Sequence, residues 1–534
     1  MFSKIVSCGI RGVEGYQVAI ETDISSGGLP SLTMVGYLSE EVRESQERVR
    51  TALRNSGFLL PPRRITINLS PAGLRKDGTA FDLAIAVSIL CCLEEGLSEA
   101  ASQAVFLGEL GLNGEIKPVN GIISRVYCAR RAGFSRCFVP KENVKEGTVA
   151  EGVEIIGVSS LLEQAELLRH PERIKGCWFD GKSFEKSLKQ KRKKTVSGPS
   201  EHMEEEEIFL DYGDICGQTT VKRAMETAAA RHSCLLIGPA GTGKTMAARR
   251  LPSILPPITL EESIQMSKVY SICGLLPEDP PLITERPFRA PHHSVTAQSL
   301  TGGGRNPRPG EISLASGGVL FLDELTEFPG RILDLLRQPL EEKRITVTRL
   351  NAALEFPADF MLICAMNPCR CGQFPSETCT CSESQIRRYL GKVSGPFLDR
   401  IDIGVEVPPV PYSQLRGTVQ AGKREAEESS ASMRKRVEKA RSMQEKRFRG
   451  LTVRYNSEME PAHIREFCSL LPEDESFLQA VYRQYGFSAR GFDKLLKVAR
   501  TAADLDGKEQ IERIHLCEAV SYRSFEKKYW GFQK

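Results

Sequence analysis

Short apolar runs alternate with longer amphipathic stretches along most of the chain, and breaks in that alternation divide it into four parts. Up to about residue 175 the pattern is that of an α/β unit. Arg64-Ile-Thr-Ile-Asn-Leu69 has the period of a strand, while Phe81 to Leu93 and Ile122 to Ala132 read as helices. No apolar period runs through 176–207. There Lys186 to Lys194 is almost continuously basic, and Ser197-Gly-Pro-Ser200 and the acidic run Glu204 to Glu207 follow, so a solvated linker is expected. From 208 to 410 strands and helices alternate again, which predicts a parallel sheet. Beyond Pro408-Pro409 the chain turns helical and charged, with helices expected near Ser432 to Phe448 and Phe487 to Asp504 within 411–534. No internal repeat is evident. The expected fold class is α/β, with a helical C-terminal part.

Composition adds bounds to this picture. At 534 residues the chain is too long for one core, and about three domains are expected. The formal net charge of +4 is small for this size and points to no class of partner. The start, Met1-Phe2-Ser3-Lys4-Ile5-Val6, has no signal-peptide pattern, and no stretch approaches the ~18 unbroken apolar residues of a membrane span. A cytosolic protein without a membrane segment is expected. Its 16 cysteines then read as reduced thiols, most of them small buried side chains such as Cys91, Cys92 and Cys364.

The strongest chemistry lies in Gly238-Pro239-Ala240-Gly241-Thr242-Gly243-Lys244-Thr245. It follows the apolar strand Cys234-Leu-Leu-Ile237 and opens a helix at Met246, the context a phosphate-binding loop requires. Glycines let backbone N–H groups face phosphates, and the helix N-terminus adds positive potential. Lys244 is expected to reach the β/γ-phosphates of ATP, and Thr245 to ligate Mg²⁺. A second buried strand, Gly318-Val-Leu-Phe-Leu322, ends in Asp323-Glu324. Two acids there are costly unless a metal and a water meet them, so Asp323 is expected to hold Mg²⁺ through water and Glu324 to act as general base. A third strand, Phe360-Met-Leu-Ile-Cys-Ala-Met366, ends in Asn367, whose amide can orient the lytic water.

Four thiols, Cys369, Cys371, Cys379 and Cys381, fall within thirteen residues broken by Gly372 and Pro375. They can wrap one tetrahedral Zn²⁺, although C-x-C spacing is less common at zinc sites than C-x₂-C. Free thiols in a loop are the alternative. The pair His292-His293 is expected to be structural, because adjacent side chains diverge on a helix and face opposite ways on a strand. Arginines in probable turns, Arg305 and Arg308 in a Gly-rich segment and Arg344 and Arg349 in a hairpin-like one, are candidates for gripping DNA phosphates without reading bases. No aromatic platform accompanies them.

These motifs in this order resemble an AAA+ ATPase, and the whole chain resembles the ComM/YifB family of magnesium-chelatase-like ATPases. The resemblance is carried by Phe288-Arg-Ala-Pro-His-His-Ser294, Gly302-Gly-Gly304, Pro309-Gly-Glu-Ile-Ser-Leu314, Phe321-Leu-Asp-Glu-Leu325 and Ala365-Met-Asn-Pro-Cys369. It implies that Asn367 is the first sensor, Arg490 the second, and Arg400 an arginine finger reaching the ATP of the next subunit. It further implies a hexameric DNA motor, a helicase or branch-migration factor in recombination of incoming DNA. A chelatase subunit driving Mg²⁺ into a porphyrin is the competing expectation.

Residues 1–175 resemble the proteolytic domain of Lon, a fold shared with a ribosomal-protein domain. Arg75-Lys-Asp-Gly-Thr-Ala80-Phe-Asp82 and the stretch from Phe106 to Ile123 carry this likeness. The positions of the nucleophilic serine and its lysine are Ala80 and Ile123. Neither can do that chemistry, so no protease activity is expected. The implied layout is a Lon-protease-like domain at 1–175, a linker at 176–207, an AAA+ domain at 208–410 and a helical lid at 411–534.

Overall fold

The computed structural model describes residues 1–25, 27, 29–178, 210–279, 281–304, 307–349, 352–410 and 428–531. The expected linker at 176–207 lies almost wholly outside the described residues. The N-terminal part is built on a seven-stranded mixed sheet. Its order is Ser31–Val35, Arg64–Ser70, Glu14–Ile24, Phe2–Arg11, Ala104–Phe106, Arg136–Pro140 and Glu154–Val158. The long hairpin Phe2–Arg11/Glu14–Ile24 supplies its antiparallel centre, and the three later strands join in parallel. Helix Asp82–Leu93 is buried over nearly its whole length, which explains its lack of a polar face. Ala80 and Ile123 are both buried in this part of the molecule, at 2% and 1% exposure.

The central part holds a five-stranded sheet in the order Phe288–Arg289, Val319–Leu322, Met361–Met366, Cys234–Ile237, Ile403–Glu406. Every pairing in it is parallel. Its strands are apolar without alternation because both faces are covered. Leu235, Ile237, Leu320, Leu322, Leu362 and Cys364 enter one core. Cys234, Leu236, Phe321, Ile363, Ala365, Ile403 and Val405 enter another on the opposite face.

That second core does not stop at the sheet. It continues without a break into Met433, Val437, Ala440, Leu495, Val498 and Ala499 of the C-terminal helices. Helix Ser430–Arg447 is capped by Ser429, and helix Ala489–Leu505 by Ser488, whose Oγ accepts from the Gly491 N–H at 3.1 Å. These two helices pack on each other; the first also packs on the helix following the phosphate loop, and the second on helix Thr219–Ala229. Helix Arg513–Phe525 closes the layer against the edge strand, where the Phe525 ring occupies the space a Cβ on Gly404 would need. The α/β class, the parallel central sheet and the helical C-terminal region expected from the sequence are all present. Among the described residues no helix is long and apolar enough to cross a membrane.

One buried ionic cluster ties the sheet to the helices. Asp402, just before strand Ile403–Glu406, takes Lys494 Nζ at 2.7 Å, His232 Nδ1 at 3.2 Å and the Ser233 N–H at 3.2 Å. Burial alone raises a carboxyl pKa, but Lys494 and His232 outweigh it and hold Asp402 well below the usual carboxylate range. Asp402→Asn leaves Lys494 without its counter-charge and is expected to destabilise the fold by about 3 kcal/mol at neutral pH. A depressed carboxyl pKa stabilises above its unfolded value and loses that contribution as pH falls toward the folded one. The difference between wild type and Asp402→Asn in denaturant unfolding should therefore hold at neutral pH and shrink below about pH 4.

Candidate nucleotide site

All three central strands end at the same edge of the sheet, and their terminal polar residues meet there. The loop 238–243 leaves strand Cys234–Ile237 and turns through Gly241 and Gly243, with φ of +76° and +90°, before helix Lys244–Ile254 begins. Only glycine takes such angles at little cost. Lys244 Nζ donates to the carbonyls of Gly238 at 2.8 Å and Pro239 at 2.6 Å, and to Oδ1 of Asn367 at 3.1 Å. Burial lowers the pKa of Lys244, and Asp323 partly offsets the shift. The Thr245 hydroxyl donates to Asp323 Oδ2 at 2.8 Å. Hydroxyl and carboxylate oxygens held together in this way are a donor set suited to Mg²⁺.

Glu324 sits at φ +50°, an angle that costs a non-glycine residue roughly 1 kcal/mol and that recurs at functional sites. Its N–H donates to Asp323 Oδ1 at 2.9 Å, and its own carboxylate projects outward, 65% exposed. Together these residues line a cleft of about 580 Å³ with Ala240, Thr242, Met246 and Met366. That volume is in the range of small-ligand sites.

The cleft recruits residues that no sequence motif marked. Gln218, at φ +47°, donates from Nε2 to the Thr242 carbonyl at 2.9 Å and to that of Pro408 at 3.2 Å, linking the phosphate loop to the sheet's last strand. Arg370 and Tyr389 line the cleft itself. His293 lies 3.5 Å from Glu324 Oε2, and its ring lies close to that of His292, with centroids 3.9 Å apart and the planes tilted by 36°. The expectation that the two histidines diverge is thus corrected. They lie in a turn, to which neither helical nor strand periodicity applies.

Arg400 and Arg490 are absent from this cleft. They line a second one, of about 590 Å³, with Arg231, Lys343, Asp399 and Asp402. Both approach Glu341, at 2.7 Å from Arg400 and 4.0 Å from Arg490. Arg490 is 71% exposed.

The four cysteines converge. Their sulfurs all lie within 4.8 Å of one another, with Cys369–Cys371 at 3.3 Å, Cys371–Cys379 at 3.5 Å and Cys369–Cys379 at 3.7 Å. A tetrahedral Zn²⁺ with Zn–S bonds of about 2.3 Å sets sulfurs roughly 3.8 Å apart, so the donor set suits that ion. Backbone N–H groups of Gln373 and Thr380, with the Cys369 thiol, lower Cys371 to about 5.

Of the four arginines expected to meet DNA, Arg305 lies outside the described residues. Arg308 is exposed on strand Arg308–Pro309, which pairs with Gly302–Gly303. Arg344 and Arg349 bound the first strand of a hairpin, Arg344–Arg349 against Ala352–Pro357. Arg344 stands at its base, 3.6 Å from both Glu342 and Glu355. Arg349 pairs with Ala352 at its tip, and its side chain is outside the described residues.

Comparison with known proteins agrees with this architecture. The family described as magnesium chelatase, subunit ChlI, matches residues 211–415, its C-terminal part matches 427–523, and a further ChlI family matches 20–143. The competence protein ComM of Haemophilus influenzae is 39% identical over 97% of both chains. The YifB protein of Escherichia coli is 39% identical over 98% of this chain and 97% of its own. A shorter likeness, 36% over 17% of this chain and 20% of the other, links it to the DNA repair protein RadA of Streptococcus pyogenes. Near-complete, mutual coverage at this identity, together with the nucleotide cleft, places the chain in the ComM/YifB family of magnesium-chelatase-like AAA+ ATPases.

Proposed function

We propose that this chain is the subunit of a ring-shaped, ATP-driven motor that moves on or remodels DNA. The observation that carries the ATPase half is the meeting of Lys244, Thr245, Asp323, Glu324 and Asn367 in one cleft, although 123 positions separate Lys244 from Asn367. In this reading the loop N–H groups and Lys244 bind the β/γ-phosphates. Thr245 and Asp323 hold Mg²⁺, which when bound neutralises phosphate charge. Glu324, pointing outward from its left-handed backbone, takes the proton of the attacking water, and Asn367 orients that water. His293 lies against Glu324 and helps to aim it.

The ring follows from the two arginines. Arg400 and Arg490 share a cleft of their own with Glu341, away from the residues around Lys244. A pair placed there serves the γ-phosphate of a neighbouring subunit, with the number of subunits in the family's hexamer taken from the resemblance. The DNA half is supported by the Haemophilus relative being a competence protein and the Streptococcus relative a DNA repair protein. The name of the matching family favours a second reading, an ATPase subunit for inserting Mg²⁺ into a porphyrin. Residues 1–175 are assigned to assembly or binding rather than proteolysis, because Ala80 and Ile123 are buried apolar groups with no nucleophile between them. The four thiols are assigned to one structural Zn²⁺.

Lys244→Ala should abolish turnover and weaken ATP binding. Glu324→Gln should bind ATP yet hydrolyse it at least roughly 100-fold more slowly, and normal turnover by the Gln variant would remove Glu324 from the role of base. Arg400→Ala should lower turnover about 1,000-fold with ATP binding intact. Mixed with Glu324→Gln subunits it should regain some activity, since interfaces that join the intact base of the Arg400→Ala subunit to the intact finger of the Glu324→Gln subunit are complete. Fully active monomers in sedimentation with ATP would rule the ring out.

DNA should stimulate turnover with little sequence preference, and binding should weaken with salt by a log–log slope of about −0.9 per phosphate neutralised. Replacing Arg305 and Arg308, or Arg344 and Arg349, with Ala should lower both slope and stimulation. The assay compares four-way junction, forked, duplex and single-stranded DNA with a porphyrin acceptor system. Stimulation by the porphyrin system alone would select the chelatase reading.

A further inference from the structure

The four-thiol knuckle lies directly against the nucleotide cleft. Arg370 is the residue between the first two thiols, Cys369 and Cys371, so a metal bound by both would fix its backbone on either side. Its exposed side chain lines the cleft together with Lys244, Thr245, Glu324 and Asn367. Among the described residues it has no carboxylate or carbonyl partner, in contrast to the paired Arg400. One residue beyond Cys371 the chain turns through Gly372 at φ +79°, where a Cβ would stand 3.8 Å from both the Ala240 nitrogen and the Pro239 Cα. The knuckle therefore lies beside the phosphate loop, about one side-chain carbon away from contact. On its other side Phe374 packs edge-on against Tyr529, with centroids 6.0 Å apart, and the Phe374 N–H donates to Cys369 Sγ at 3.4 Å. A loop braced on one flank by the C-terminal segment, with the phosphate loop beside the other, has one unpaired cation, and that cation faces the cleft.

We propose that Arg370 is a phosphate-binding residue of the nucleotide site, and that Zn²⁺ held by Cys369, Cys371, Cys379 and Cys381 fixes it there. The proposal rests on the reading of this cleft as the ATP site. Zinc does not touch the nucleotide. It converts a loop into a rigid knuckle, so that the guanidinium is already placed when the triphosphate arrives and little ordering entropy is lost on binding. A guanidinium also suits the ligand, because its planar fork matches two phosphate oxygens.

The test uses the full-length chain purified without chelator, with zinc per chain from elemental analysis and the affinity for a fluorescent ATP analogue in Mg²⁺ from titration. Wild type should carry about one zinc per chain. Arg370→Ala should keep that zinc and bind the analogue about tenfold more weakly, the loss expected for one charged hydrogen bond. Arg370→Lys should recover part of it. Cys379→Ser/Cys381→Ser should lose zinc and fall to the affinity of Arg370→Ala, and adding Arg370→Ala to it should cost nothing further. If that double variant does not fold by circular dichroism, zinc is instead stripped from wild type with a zinc-selective chelator and Mg²⁺ restored, with the same affinity loss expected. Wild-type affinity in Arg370→Ala, or undiminished affinity in folded zinc-free protein, would overturn the proposal. Failure of wild type itself to bind the analogue would instead refute the ATP-site reading, so the two failures are distinct.

Discussion

The parallel sheet is buried on both faces, and this burial is the constraint on which the rest of the molecule depends. Strands Cys234–Ile237, Val319–Leu322 and Met361–Met366 have no solvent face on which to carry polar side chains. Their chemistry can therefore appear only at their ends. Because all three run the same way, those ends share one edge. Across that edge Lys244 donates to Asn367 and Thr245 donates to Asp323. Burial fixes the strands, the strands fix the edge, and the edge fixes which residues meet in the site.

The same burial couples the site to the C-terminal helices. One face of the sheet shares its apolar core with helices Ser430–Arg447 and Ala489–Leu505, so these helices are structurally part of the sheet's environment. Asp402 makes the link ionic as well. It stands two residues beyond Arg400, takes Lys494 from the second helix, and receives the Ser233 N–H that precedes the phosphate-loop strand. Arg490 lies one turn before Lys494 on that helix. A shift of the helix therefore moves Arg490, loads Asp402 and reaches the start of the strand that carries the phosphate loop. Rigid packing transmits such a displacement because cores resist compression.

What the sequence disclosed follows the same division between local and distant causes. The phosphate loop and the Asp323-Glu324 pair were legible because each depends on a few neighbouring residues: glycines that permit a turn, an apolar run that must be a strand, acids at its end. The parallel sheet was legible from strands that alternate with helices along 208–410. Gln218, Arg370 and Tyr389 were not, because tertiary folding alone brings Gln218 to the phosphate loop and aims Arg370 and Tyr389 into the cleft. The divergence expected of His292 and His293 failed for a related reason. The rule assumes regular structure, and a turn brings the two rings together instead, tilted against each other. The four cysteines were legible as a group close in sequence, but their position beside the phosphate loop was visible only in three dimensions.

The N-terminal part meets the central part through a half-buried polar contact. Ile123 is buried at the start of helix Ile122–Arg131, and its N–H donates to Glu146 Oε1 at 3.3 Å. The same glutamate oxygen accepts from Ser271, on helix Leu260–Cys273 of the central part. Burial raises the Glu146 carboxyl pKa, and these donors oppose that rise. Nearby, Lys268 pairs with Glu14 at 3.0 Å and lies over the Tyr127 ring at 5.4 Å. Glu146 and Glu14 thus each join the N-terminal part to helix Leu260–Cys273 of the central part, one through Ser271 and the other through Lys268. The Ile123 bond to Glu146 is made by the backbone N–H, so it does not depend on the side chain at that position.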